Sequence, residues 1–209
     1  MRRLITAITL LVLLATNAFG EESQRVVELR VSSTDPEVIA LTDQLLRSRF
    51  DMFNSATLTP IASERDGARL IYTFPGELPD SGSIKFLAES IGLVTMTLED
   101  SPDAGPVITS HDIETIDLRL DSFGSEGFFI VLSPAAGDVM LRTSTENIGK
   151  RMIMKVDDTV LTEATIRGAF AREFRVAGPN IDNTESVYAV IRFGPLPAAV
   201  ELVSFRDGT

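Results

Sequence analysis

The sequence predicts an α+β fold: a ferredoxin-like (split βαβ) base with an inserted second α+β head lobe. Three observations carry that expectation. Between residues 25 and 100 the apolar period switches between 2 and 3.6 in the order β-α-β-β-α-β. The stretch "SPDAGP" (Ser101–Pro106) then interrupts the pattern. A second strand-rich set follows as far as Gly178-Pro179, after which one helix and one strand complete the chain.

Each element has its own signal. "RVVELRVSS" (Arg25–Ser33) alternates apolar and polar residues, as a strand does. In "TDPEVIALTDQLLRSRFDMF", Thr34 or Asp35 can cap a helix and Pro36 suits its first turn; Val38, Leu41, Leu45, Leu46 and Phe53 form the apolar stripe. "ATLTPIASERDGARLIYTF" gives two strands joined at Asp66-Gly67, a hairpin signal. A short helix begins near Ser81 or Ser83 and is closed by Gly92, and "LVTMTLED" is the next strand. In the head, "ETIDLRL" and "GFFIVLS" are strands, and Pro134–Gly149 is a helix stopped by glycine. A hairpin turns at Asp157-Asp158, and "REFRVAG" is a further strand.

The end of the chain, "YAVIRFGPLPAAVELV" (Tyr188–Val203), sets a helix against a strand across a rigid corner. Gly194 can take the positive φ that ends the helix, and Pro195 and Pro197 fix φ on either side of Leu196. The base is expected to comprise residues 24–105 and 180–209, and the head residues 106–177. Two crossings join them, Gly105-Pro106 and Gly178-Pro179. Paired crossings can serve as a hinge; they can equally be ordinary loops in one rigid unit.

Residues 1–20 read as a signal peptide: "MRR" is the positive start, "LITAITLLVLLA" the apolar stretch, and Ala18 and Gly20 are small residues at a cleavage site. The rival reading is an uncleaved N-terminal membrane tether. Leu4–Phe19 counts 16 residues, short of the roughly 20 that a spanning helix needs. Either way the folded part is expected to be periplasmic or otherwise extracytoplasmic. Loss of Arg2 and Arg3 from 19 basic residues leaves 17 against 30 acidic ones, a net charge of −13. Such a charge repels nucleic acid and anionic lipid. Without cysteine there is neither a disulfide framework nor a thiolate metal site.

Catalytic chemistry finds little to rest on. His111, with Asp112 and Glu114 nearby, is weighed as a metal ligand and as a solvated turn residue, and the turn reading is preferred. The single histidine and absent cysteine exclude the usual triads. "GSEG" (124–127) lacks phosphate-loop spacing. The expectation is no enzyme, no cofactor and no metal.

Three stretches go beyond pattern. "STENIGKRMIMKVDDTVLTEATIRGAF" (Ser144–Phe170) resembles a segment of the SecD family, an accessory subunit of the bacterial protein-export machinery, that runs T-x-x-N-I-G-K, strand, D-turn, strand. Asn147, Gly149 and Lys150 carry that motif. "IRFGPLPAAVELV" is similar to the family's L-R-x-G-x-L-P-x-x-L/V-x-V/I-V, through Gly194, Leu196 and Pro197. "VSSTDPEVIALTDQLLRSRFDMFN" with "ERDGARLIYTFPGE" is similar to its first helix and the acidic-Gly turn after it. All three occur in the family's order. The resemblance implies the base-plus-head P1 domain, here a stand-alone one without the later transmembrane helices or their proton-coupling acid. Ala164 stands where the head pattern has proline, and Asn54-Ser55 replaces N-x-x-G.

The implied role is non-catalytic: binding unfolded or translocating polypeptide, or associating with Sec translocase components. The alternative is an interaction or regulatory protein that docks on a membrane complex without handling clients. Clients that differ in sequence share backbone groups and apolar side chains, met by an open strand edge and an apolar groove. Phe128, Phe129, Ile130, Met152 and Met154 are the candidate binding residues, the methionines as adaptable fillers. The competing reading buries these strands as the head's core.

Overall fold

Strand β1 (Gln24–Val31) runs through the middle of the base sheet. It pairs antiparallel with β11 (Val200–Asp207) on one side and β3 (Arg69–Pro75) on the other, and β2 (Ala62–Asp66) flanks β3. The order β11-β1-β3-β2 is the split βαβ arrangement. The computed structural model describes residues 24–54, 62–75, 80–100, 105–120, 126–177 and 184–207. Residues 1–20, read above as a signal peptide or tether, thus lie outside the described residues, as do Gly178, Pro179 and the expected cap positions Asp182 and Asn183.

Alternation along β1 puts Val27, Leu29 and Val31 into the core. Glu28, on the opposite face, accepts from Arg69 at 2.6 Å and lies 3.5 Å from Arg206. Helices α1 (Pro36–Asn54), α2 (Ser81–Glu89) and α4 (Thr184–Phe193) supply the apolar residues packed with the buried face. Asp35 caps α1, its carboxylate accepting the Glu37 N–H at 2.8 Å, and Asp80 caps α2 through Gly82 and Ser83. Phe50 of α1 meets Tyr72 and Phe74 of β3 at ring distances of 5.3 and 5.4 Å. The buried stripe of α1 is Ile39, Thr42, Leu46, Arg49 and Phe50, while Leu41 is 48% exposed. The expected stripe was rotated because two of its true members, Thr42 and Arg49, are polar.

The head consists of two sheets and one helix. The first sheet, in order β5-β4-β8-β9, contains β5 (Ile108–Thr109), β4 (Val94–Leu98), β8 (Arg151–Val156) and β9 (Thr159–Thr165). The second, in order β10-β7-β6, contains β10 (Glu173–Ala177), β7 (Glu126–Leu132) and β6 (Ile113–Leu120). Helix α3 (Pro134–Glu146) connects β7 to β8. Tyr188 of α4 stacks on Phe128 of β7 with rings 6.4 Å apart, and Arg192 donates to the Ile116 carbonyl at 3.3 Å.

These pairings correct the domain boundary. β4 closes no base sheet: it pairs with β8 from Val94↔Val156 to Leu98↔Met152, and β11 takes the fourth place in the base. Gly105-Pro106 therefore joins two strands of one sheet, β4 and β5, and is not a crossing between lobes. The chain leaves the base at Ile91–Leu93 instead. Strands β4 and β11 have similar alternation, and only long-range pairing separates their roles.

That departure point is built around Arg49, which is fully buried. Its Nη1 donates to Leu87 O (3.0 Å) and Ser90 O (2.7 Å), at the C-terminus of α2. Its Nη2 donates to Ile91 O (3.0 Å) and to Gly194 O (2.8 Å), just beyond α4. Carbonyls at helix C-termini lack intrahelical partners and carry partial negative charge, so a cation satisfies both needs. Burial pulls the guanidinium pKa down to about 10, opposed by the Asp157 carboxylate, and the group stays charged at neutral pH. Gly92, at φ +94°, abuts this cage; a Cβ there would lie 2.8 Å from Arg49 Nη2. Gly194 has the expected positive φ, +77°. Asp157, at the β8–β9 turn, accepts from the N–H groups of Gly92 (3.1 Å) and Leu93 (2.9 Å).

Arg49→Met takes the guanidinium donors from the Leu87, Ser90 and Gly194 carbonyls and leaves Ile91 O only the Leu196 N–H; it is expected to cost about 3–5 kcal/mol in urea unfolding at pH 7. Arg49→Lys should recover only part of that, since an ammonium has three donors for four acceptors. A second expectation concerns acid. Burial pushes Glu89 up, but Lys85 and the Leu202 N–H outweigh it and hold the carboxyl below its ordinary 4.5; Arg69 chiefly holds Glu28 below the same value. Folded values below the unfolded one give stability that is complete above the unfolded value and lost as pH falls through the folded ones. The urea midpoint should therefore be flat above about pH 6 and decline below about pH 4.5.

Candidate functional site

The candidate site is a groove of about 630 Å³ in the head, bounded by β9, the 166–170 segment and β10. Its floor follows from strand periodicity. Met152 and Met154 are two apart on β8 and share a face, and Met96 on β4 is the direct cross-strand neighbour of Met154. All three line the groove from beneath while staying 5% exposed or less. Phe170 and Phe174 supply an aromatic wall, edge to face at 5.2 Å. Glu163 and Arg167 lie on the rim, and Arg151 pairs with Glu99 and Glu163 beside it.

The end of the groove is held by a residue that no sequence signal marked. Ser144 of α3 is fully buried, and its hydroxyl donates to Phe170 O (2.9 Å) and accepts from Phe170 N (3.0 Å). The Asn147-Ile148-Gly149-Lys150 motif serves the same junction. Asn147 Nδ2 donates to Thr143 O at 2.8 Å, and Gly149, at φ +91°, donates its N–H to Ile166 O. Lys150 O accepts the Ile166 N–H, so the motif ties the end of α3 to the exit of β9. Leu196 is buried and its N–H donates to Ile91 O at 2.7 Å, while Pro197 is exposed. The corner motif therefore belongs to the base.

The five candidate binding residues divide. Met152 and Met154 reach the groove. Phe128 and Ile130 do not: neither lines it, and both pack inside the core, Phe128 against Tyr188. Phe129 is half-buried on the other face of its sheet, with the Arg119 guanidinium 5.5 Å from its ring centre. The apolar run in β7 made these residues look alike, but the pleat sends its members to opposite faces. Phe170 and Phe174 were missed because they stand outside any apolar run.

His111 is exposed in a short 3-10 turn, where Asp112 accepts from the N–H (2.8 Å) and hydroxyl (2.9 Å) of Thr109. Glu114 is paired with Arg172. The carboxylates beside His111 thus have turn and ion-pair roles.

Ser144→Ala removes both clasp bonds. It is expected to cost about 1–3 kcal/mol and to speed amide exchange at Phe170 and its neighbours while that at Arg49 and Phe50 in α1 is unchanged.

Comparison with known proteins gives this architecture a context. Residues 97–198 match the family model of the SecDF P1 head subdomain. The protein translocase subunit SecD of Aquifex aeolicus is 19% identical over 218 residues, covering 88% of this chain and 43% of that protein. SecD of Calditerrivibrio nitroreducens is 26% identical over 137 residues, covering 63% of this chain and 26% of that one. The chain thus spans less than half the length of these relatives. A solved structure of SecDF in its super-membrane-facing form has the same fold, with TM-score 0.62 and 16% identity over 88% of this chain and 30% of its own. A structure of the membrane component SecDF that enhances protein export gives TM-score 0.60 and 16% identity, covering 87% of this chain and 99% of its own. With the head matched by its family model and the base closing around it in the same architecture, the chain is similar to the P1 domain of SecD-family proteins.

Proposed function

We propose that this P1-like domain acts outside the cytoplasm as a non-catalytic participant in protein export, holding extended polypeptide in the head groove and associating with the Sec translocation machinery. The relatives support the setting, being protein translocase subunits and a membrane component that enhances protein export. The observation that carries the polypeptide reading is the groove itself, floored by Met96, Met152 and Met154 and walled by Phe170 and Phe174. Methionine is unbranched and polarizable, so such a floor conforms to side chains of different shape. Its volume suits a segment of a few residues. The acids nearest the groove, Glu99 and Glu163, are both held by Arg151, and the reading assigns them no proton transfer.

Because Phe128 is core, Phe128→Asp would unfold the head instead of testing its surface. Ala164 and Ala169 line the groove and are exposed, so a carboxylate there disturbs no packing. The purified protein is expected to bind a permanently unfolded, reduced and carboxymethylated polypeptide saturably. Ala169→Asp and Ala164→Asp should each weaken this about tenfold, about 1.4 kcal/mol, with unchanged thermal midpoints. Binding to solubilised translocase alone, with none to the unfolded chain, would instead favour a docking protein that handles no clients.

A further inference from the structure

The groove walls have a property beyond their apolar lining. On one side the consecutive residues 162–165 of β9 face it, and on the other the consecutive residues 174–176 of β10. Successive side chains of a strand point to opposite faces, so a consecutive run lines one space only when the strand turns its edge towards it. Both strands can do so. β9 ends its sheet, bonded to β8, and β10 ends the other, bonded to β7; neither has a second strand partner among the described residues. Two rows of backbone donors and acceptors therefore flank one slot.

We propose, building on the polypeptide reading above, that the guest enters as a single strand hydrogen-bonded on both sides, to β9 and to β10. The head's two sheets then become one, in the order β5-β4-β8-β9-guest-β10-β7-β6. The occupant this geometry fits is an extended polypeptide segment with apolar residues at alternate positions. Its inward side chains rest on Met152 and Met154, and its outward ones meet the rim. There Arg151, Glu163 and Arg167 offer charges of both signs, so an outward acid or base finds an opposite charge. Recognition rests on the backbone and tolerates sequence. β9 has seven residues and β10 five, which sets the paired stretch of the guest.

A central strand uses all its N–H groups, alternate ones to alternate neighbours. The test follows from that. A peptide of about ten residues alternating Leu and Ser is titrated into the purified protein. Two relatives are compared, N-methylated at the odd positions only and at the even positions only. Both are expected to bind at least about tenfold more weakly than the parent. Weakening by one series alone means that a single edge is used, and overturns the proposal. Equal binding by all three means an apolar slot without backbone recognition; that overturns the proposal and leaves the polypeptide reading intact. No binding of the parent peptide overturns both. If the peptide-free protein is a dimer that the peptide leaves intact, the edges belong to a second copy and the proposal falls.

Discussion

A buried guanidinium requires acceptors, and Arg49 draws its acceptors from segments far apart in the chain. The end of α2, the departing linker at Ile91 and the end of α4 at Gly194 all turn carbonyls towards one cation. None of these segments can move alone without breaking a bond to the guanidinium. The cage therefore fixes where the head departs and where the last strand begins, and Leu196 adds a direct bond between those two points. Gly92 is required beside it by both φ and space. The Asp157 turn reaches back from the head to the same linker, so the base and the first head sheet meet at a polar junction.

From that junction the head divides its labour. The inner face of β7 and β6 is core, packed against Tyr188 of the base, and gives the head a fixed seat. The groove lies where the two sheets end, at β9 and β10, and Phe170 on its wall is clasped by Ser144. The seat is closely packed, while the floor is built of methionine, an unbranched side chain that can adapt. For the proposed polypeptide-holding role this separation is an advantage, because a mobile seat would weaken every contact made above it.

Local chemistry was legible wherever one short stretch decides the conformation. Asp66-Gly67 and Asp157-Asp158 turn hairpins, Gly194 ends α4 at positive φ, and Gly149 follows the end of α3, as their residue types require. The Asn147–Lys150 and Gly194–Pro197 motifs pointed to the SecD family, whose P1 head matches residues 97–198. The site was only half legible. Met152 and Met154, singled out by their type, line the groove, whereas Phe170 and Phe174 come to its wall only through folding, Phe170 held there by Ser144 of α3.

The sequence by itself determined the α+β class, the order of the helices and of every strand but the two-residue β5, and the hairpin turns, because capping, φ preference and apolar alternation act over a few residues. Tertiary structure alone decided which strand completes which sheet. β4 and β11 are comparable short apolar strands, and β4 joins the head because Met96 and Val94 find β8, while β11 finds β1. It alone also decided that Arg49 belongs inside. A charge is tolerable there only once carbonyls distant in sequence converge on it, and that convergence exists only in the folded chain.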